Sequence, residues 1–282
     1  MVGTHDGEVN VSGMRGAPRL YRTLHRIVPG VVGRYLTLEV DGLDNVPAEG
    51  GAVLAANHLS FIDSILLPLH IPRPVYFLGK AEYFASWRTR WFVAGTGVVP
   101  VNRSAGDRGR DSLEVGVRIL TGGDLLGIYP EGTRSPDGRL YRGKTGPVRM
   151  ALQAGVPIIP CGVRGTREVM PEGRRLPRRG VVSVTYGEPL DLGRYRDHDD
   201  DPYALRAATD EVMYEIMRLS GQSYVDAYAS RVKASRSSPS GGATTPGPEG
   251  AGGTRAGDEP PASSEGDGGG SDADGGDGRA VS

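Results

Sequence analysis

The chain has 282 residues, with 33 basic and 34 acidic side chains, a formal charge of −1 and a single cysteine, Cys161. This balance argues against a nucleic-acid partner held by charge. One cysteine excludes an internal disulfide framework and a multi-cysteine zinc site, and no run approaches the roughly 18 apolar residues of a membrane-spanning helix. The total hides an uneven distribution, because the segment from Arg236 onward carries three basic residues against eight acidic ones and leaves 30 basic and 26 acidic residues in the body. A mildly basic body with an acidic tail suits an anionic ligand or surface.

Residues 1–17 are polar, lack the apolar core of a signal peptide and contain a second methionine, Met14, so they are expected to be a disordered leader or a misplaced start. From Pro18 to Tyr35, residues Leu20, Tyr21, Leu24, Ile27, Val28 and Val31 share one helical face, with Arg22, His25 and Arg26 opposite. This predicts a basic amphipathic helix, kinked or ended at Pro29-Gly30. It either packs on the domain or lies in a lipid interface.

Strands are then predicted at Leu36–Val40, Gly51–Ala56, Val75–Leu78, Val98–Val101, Leu125–Tyr129, Ile158–Val163 and Val181–Tyr186. Between and after them come helices from Ile62 through Leu69, near Glu82–Val93, and over Ser112–Leu120, Val148–Ala154 and Leu205–Leu219. The alternation predicts one α/β domain over 36–233, with a largely parallel sheet flanked by helices and closed by Val181–Tyr186. Cys161 falls within an apolar strand and is expected to be a core residue. Residues 234–282 are rich in Gly, Ser, Pro and Asp, too poor in large apolar side chains to offset ordering entropy, and are expected to be a disordered tail.

The stretch N-H-L-S-F-I-D, Asn57 to Asp63, joins a strand to a helix, where α/β proteins place chemistry. A histidine at a strand end and a carboxylate five residues on can fold back on one another. Asp63 would then accept a hydrogen bond from one ring nitrogen of His58 and leave the other free as a general base. The bland alternative is a satisfied strand-end histidine and a helix-capping aspartate. Two further strand ends stand out: Asn102-Arg103, and the turn P-E-G-T-R-S over Pro130–Ser135. If the parallel strands share one carboxyl edge, Arg103, Glu131, Gly132, Thr133 and Arg134 can line a single crevice with His58. There an arginine fork can grip a phosphate, Gly132 lets backbone amides approach and Glu131 can bond a hydroxyl. The alternative is a surface turn with solvated charges.

G-R-L-Y-R-G-K-T, Gly138 to Thr145, fits the phosphate-loop pattern letter for letter. It follows turn residues rather than a strand and its interior is bulky, so nucleotide hydrolysis is not expected. Lys144 can still reach a ligand phosphate from the start of the next helix.

Taken in order, N-H-L-S-F-I-D, G-V-V-P-V-N-R (Gly97–Arg103), Y-P-E-G-T-R-S (Tyr129–Ser135) and V-P-I-I-P-C-G-V (Val156–Val163) resemble the glycerolipid acyltransferase family typified by 1-acylglycerol-3-phosphate acyltransferase. The resemblance covers roughly Arg34–Leu219. It implies His58 as base and Asp63 as its orienting partner. Arg103 and the turn Glu131, Gly132, Thr133 and Arg134 are implied at the glycerol phosphate of the acceptor. It further implies transfer of an acyl group from acyl-CoA or acyl carrier protein to lysophosphatidic acid, giving phosphatidic acid, with acyl-CoA as co-substrate and neither cofactor nor metal. Lys80, Arg88 and Arg90 are candidate contacts to coenzyme A. The oxyanion would be met by backbone amides near the turn.

Two departures from the family pattern, Tyr129 for phenylalanine and Asn102 for aspartate, are expected to leave the chemistry untouched. A lipid acceptor favours the lipid-interface reading of the 18–35 helix, placing the protein peripherally on the cytoplasmic face of the cell membrane. Acceptors such as glycerol 3-phosphate, another lysophospholipid or a glycolipid remain open, as does a non-catalytic lipid-binding adaptor of the same fold.

Overall fold

The computed structural model of the protein describes residues 30, 32–80, 98–101, 109–174 and 176–237. Most of the expected 18–35 helix lies outside this set, although Gly30 and residues 32–35 are helical. The leader, the 82–93 helix, Arg88, Arg90, Arg103 and the chain beyond 237 also lie outside it.

Among the described residues there are nine strands: β1 (Leu36–Asp41), β2 (Ala52–Ala56), β3 (Val75–Lys80), β4 (Val98–Val101), β5 (Leu125–Ile128), β6 (Leu140–Tyr141), β7 (Ile158–Arg164), β8 (Gly180–Tyr186) and β9 (Tyr224–Val225). The α-helices are α1 (Asp63–Leu66), α2 (Arg110–Thr121), α3 (Gly146–Ala154), α4 (Thr166–Val169), α5 (Pro202–Ser220) and α6 (Ala229–Ser237). Seven strands form one sheet in the order β1-β8-β7-β2-β5-β3-β4, and β6 and β9 pair separately. All neighbours in the large sheet are parallel except β7 and β8. The α/β class and the largely parallel sheet therefore hold. The strand expected to close the sheet, β8, is instead interior, inserted between β1 and β7.

Helices cover both faces. Val53 and Ala55 of β2 point to one core with the inner faces of α2, α3 and α5, while Ala52, Leu54 and Ala56 point to the other, where Ile62, Leu66, Leu67 and Val169 lie. This is why β2 is a continuous small apolar run: every one of its residues is buried. Cys161 packs in the second core, and burial pushes its thiol upward, in keeping with a core role.

α5 is capped by Asp201, whose side chain accepts the Tyr203 N–H, and Pro202 occupies its first turn. Leu205, Ala208, Val212, Met213 and Ile216 form its buried stripe. It crosses β7 at Gly162, where a Cβ would lie 2.6 Å from the Leu219 backbone, so only glycine permits this packing distance.

Two boundaries differ from the sequence reading. α1 ends at Leu66, not Leu69, because residues 67–70 form turns leading to Ile71. The chain also remains ordered beyond 233: α6 runs to Ser237, seated by the fully buried Ala229.

β2 is continued by a side chain. Asn57, fully buried, donates from Nδ2 to the Val163 carbonyl at 2.9 Å and accepts the Val163 N–H at Oδ1 at 2.7 Å, reproducing a strand-pairing contact one residue past the strand. Asn57→Ala leaves that buried N–H and C=O without partners. The expected loss is on the order of 3 kcal/mol in urea unfolding; an unchanged midpoint and slope would contradict this role.

Candidate active site

β2 and β5 are adjacent and parallel, with Ala55 opposite Ile128, so the turns that leave their carboxyl ends meet. His58 follows β2, and Tyr129 to Ser135 follow β5. The His58 backbone is held on both sides by the second turn. Its N–H donates to Glu131 Oε2 at 3.0 Å, and its carbonyl accepts the Ser135 N–H at 2.7 Å. Residues 132–134 are thus a loop between two tethers on one histidine.

The ring is fixed as firmly as the backbone. His58 Nδ1 lies 2.8 Å from Asp63 Oδ2, with the His58 side chain 16% exposed and Asp63 fully buried. The same Asp63 oxygen accepts the N–H groups of Leu59 and Ser60, both at 2.7 Å. Asp63 therefore reaches back over the turn, and no side-chain cap bond is made at the start of α1, which disposes of the helix-cap alternative. An ionised carboxylate only accepts, so opposite an ionised Asp63 the donor is Nδ1–H, which leaves Nε2 as an acceptor. Asp63 Oδ1 is buried with no hydrogen-bond partner among the described residues.

Tyr129 stacks on the imidazole with ring centroids 3.9 Å apart and planes at 10°, and its hydroxyl lies 3.0 Å from Ser64 Oγ. Burial, followed by the nearby Asp63 charge, raises the Tyr129 phenol well above its ordinary value, so it stays neutral. The sequence reading treated this tyrosine as a departure without effect on the chemistry. The structure places its ring against the imidazole, a stacking that phenylalanine could also make, and its hydroxyl beside Ser64.

Glu131 was expected to meet a hydroxyl of the ligand. It is instead 1% exposed, and both of its oxygens are engaged by the backbone, Oε2 by His58 and Oε1 by the Tyr141 N–H at 2.9 Å. It is a buried clamp between two turns. Desolvation, only partly offset by those two hydrogen bonds, raises its carboxyl from 4.5 to about 7.

Gly132 and Thr133 lie against cations, and Arg134 supplies one. Gly132 has φ 71°, and a Cβ on it would come within 2.8 Å of Lys144 Nζ, so its missing side chain both permits the left-handed backbone and leaves room for the ammonium. Thr133 Oγ1 lies 3.5 Å from Lys233 Nζ. Arg134 pairs with Glu172 at 3.2 Å in an exposed contact worth little to stability. Lys144 is held at the turn by its own N–H donating to the Pro130 carbonyl. The structure therefore brings His58, Asp63, Glu131, Gly132, Thr133, Arg134 and Lys144 together, while Arg103 lies outside the described residues. Lys233 carried no sequence signal.

Two other expectations concern where the amides point. The N–H groups of His58, Leu59 and Ser60 donate to Glu131 and Asp63, and those of Gly132 and Ser135 donate to backbone carbonyls, so none of these five serves as an oxyanion donor. The phosphate-loop pattern is not a phosphate cradle. The N–H groups of Gly138, Arg139, Leu140, Tyr141, Arg142 and Lys144 donate within the protein, and its interior contains β6. Among the described residues no cluster of His, Cys, Asp and Glu could hold a metal ion.

Because folding raises the Glu131 carboxyl from 4.5 to about 7, the folded state binds more protons than the unfolded state across that window. Its contribution to stability is present below the lower value and is lost as pH rises through the upper one. Urea melts at about pH 5 and about pH 8 should show the wild type losing more stability across the interval than Glu131→Gln. Equal losses would exclude Glu131 as the titrating group.

Residues 37–164 match the family model described as Acyltransferase. The chain is 30% identical over 155 residues to a 1-acyl-sn-glycerol-3-phosphate acyltransferase of Bacillus subtilis (strain 168), covering 54% of this chain and 73% of that protein. It is 32% identical over 158 residues to the chloroplastic 1-acyl-sn-glycerol-3-phosphate acyltransferase LPAT1 of Arabidopsis thaliana, covering 55% of this chain. The chain spans 44% of the length of that plant relative. Among solved structures it is similar to the 1-acyl-sn-glycerophosphate (LPA) acyltransferase PlsC from Thermotoga maritima, with TM-score 0.57 and 25% identity over 71% of this chain and 79% of that one.

Proposed function

The chain belongs to the acyltransferase family typified by 1-acylglycerol-3-phosphate acyltransferase, and from that premise we propose that it esterifies the free hydroxyl of lysophosphatidic acid to make phosphatidic acid. The observation that carries this reading is the His58–Asp63 pair at 2.8 Å, set beside a turn surrounded by Lys144, Lys233 and Arg134. An acceptor phosphate in that turn would bring its glycerol hydroxyl toward His58.

The chemistry follows from the ring's orientation. A hydroxyl is a poor nucleophile near neutral pH, and His58 Nε2 takes its proton as the oxygen attacks the thioester carbonyl. Asp63 stabilises the imidazolium that forms, and the tetrahedral intermediate collapses by expelling the thiolate of the carrier, which receives the proton from His58. No covalent acyl-enzyme is needed. The chain has no G-x-S-x-G elbow, and Cys161 is sealed in the core.

We take acyl-CoA as the donor, with acyl carrier protein as the alternative carrier. The reaction runs at a lipid surface, since the acceptor resides in a bilayer. Among the described residues no helix is long and apolar enough to cross a membrane.

Thiol release from acyl-CoA in mixed micelles should require lysophosphatidic acid. It should fall by about a thousandfold in His58→Ala and by a comparable factor in Asp63→Asn, which turns the ring to the wrong tautomer. Release that depends on glycerol 3-phosphate would change the acceptor and keep the mechanism. Equal release in wild type and His58→Ala would remove the general-base role. Micelle binding by wild type with no turnover on either acceptor or either carrier would favour the adaptor.

A further inference from the structure

Residues 222–237 form a strap that the family model, ending at 164, does not include. The strap leaves α5 at Gly221 and is sewn onto the segment following the catalytic turn. Gln222 Nε2 donates to the Gly138 carbonyl at 2.6 Å, and the Leu140 and Arg142 N–H groups donate to the Ser223 and Ala227 carbonyls. β9 pairs with β6 in register Leu140 to Tyr224 and Tyr141 to Val225. Ala229 is fully buried, and Arg236 pairs with Asp137 at 3.3 Å. This much backbone pairing fixes α6 against the turn, and the side chain that α6 sends there is Lys233.

Lys233 is half-buried, with Nζ 3.5 Å from Thr133 Oγ1, and forms no ion pair with a described carboxylate. Its charge lowers the Glu131 carboxyl through space, but both Glu131 oxygens are already occupied by backbone donors. Lys144 holds the corresponding place over Gly132, also without an ion pair among the described residues. Two ammonium groups gathered around a three-residue loop repel one another unless an anion joins them. The loop they face is the one tethered to His58 at both ends.

Resting on the acceptor reading given above, we propose that Lys233 is a phosphate ligand delivered by the C-terminal strap, which with Lys144 closes the anion subsite over Gly132–Arg134 and selects a phosphomonoester acceptor. The requirement is electrostatic. A phosphate monoester carries close to two negative charges near neutral pH, and one ammonium on each side of the loop neutralises them.

The test compares full-length wild type, Lys233→Ala and Lys233→Arg, with thermal melting as the control for folding. Lys233→Ala should raise KM for lysophosphatidic acid by about ten- to hundredfold with kcat within a few fold, and Lys233→Arg should recover part of the loss. Turnover on monoacylglycerol, which lacks the phosphate, should not change. Equilibrium dialysis of glycerol 3-phosphate gives a readout independent of turnover, and binding should weaken in Lys233→Ala by a similar factor. If wild type acylates lysophosphatidic acid but Lys233→Ala matches it in KM and in glycerol 3-phosphate binding, the Lys233 assignment fails and the acceptor reading stands. A rise confined to the KM of acyl-CoA would move Lys233 to a coenzyme A phosphate and overturn the acceptor assignment. If wild type prefers monoacylglycerol and does not bind glycerol 3-phosphate, both readings fall together.

Discussion

The buried carboxylate of Glu131, shared between the backbone amides of His58 and Tyr141, is the contact on which the site depends. A carboxylate taken out of water is costly unless donors surround it, and these two N–H groups are what allow it there. In return it locks three pieces of chain that are distant in sequence: the turn after β2, the turn after β5 and the β6 segment that carries the C-terminal strap. Asp63 repeats the device at shorter range, gathering the Leu59 and Ser60 amides and the His58 ring on one oxygen. His58 is thereby held by ring, N–H and carbonyl. Its remaining nitrogen, Nε2, takes no part in these contacts.

That arrangement explains why the turn after β5 cannot be read as a ligand-binding motif alone. Glu131 faces the protein, Gly132 makes room for Lys144, and Thr133 and Arg134 lie at the open side. One short run of sequence thus serves two purposes, bracing His58 and, in the proposed function, shaping an anion subsite. The second purpose depends on cations that the run does not contain.

Much of the frame was legible because it rests on local periodicity. β2 and β7 read as strands from continuous apolar runs, α5 from its stripe at helical spacing, and the His58–Asp63 pair from a five-residue spacing across a strand-to-helix turn. What escaped is non-local. β8 lies inside the sheet rather than at its edge, because the antiparallel pairing with β7 leaves no trace in the alternation of β8 itself. The two-residue strands β6 and β9 are too short to show any period. The stacking of Tyr129 on His58 is also hidden in the sequence, since contact with a histidine from another strand end is a tertiary fact. α6 and Lys233 sit where the composition begins to resemble the tail, and only burial of Ala229 and pairing with β6 show that the ordered chain continues.

In the proposed mechanism His58 presents a proton-free Nε2 because Asp63 holds the proton on Nδ1. Long-range proton–nitrogen correlation spectra of the full-length protein, with His58 assigned by comparison with His58→Ala, report the tautomer of the neutral ring directly. The Nδ1–H tautomer is expected in the wild type, and its loss in Asp63→Asn. An Nε2–H ring in the wild type would contradict it, because the nitrogen required to accept the proton of the acceptor hydroxyl would already carry one.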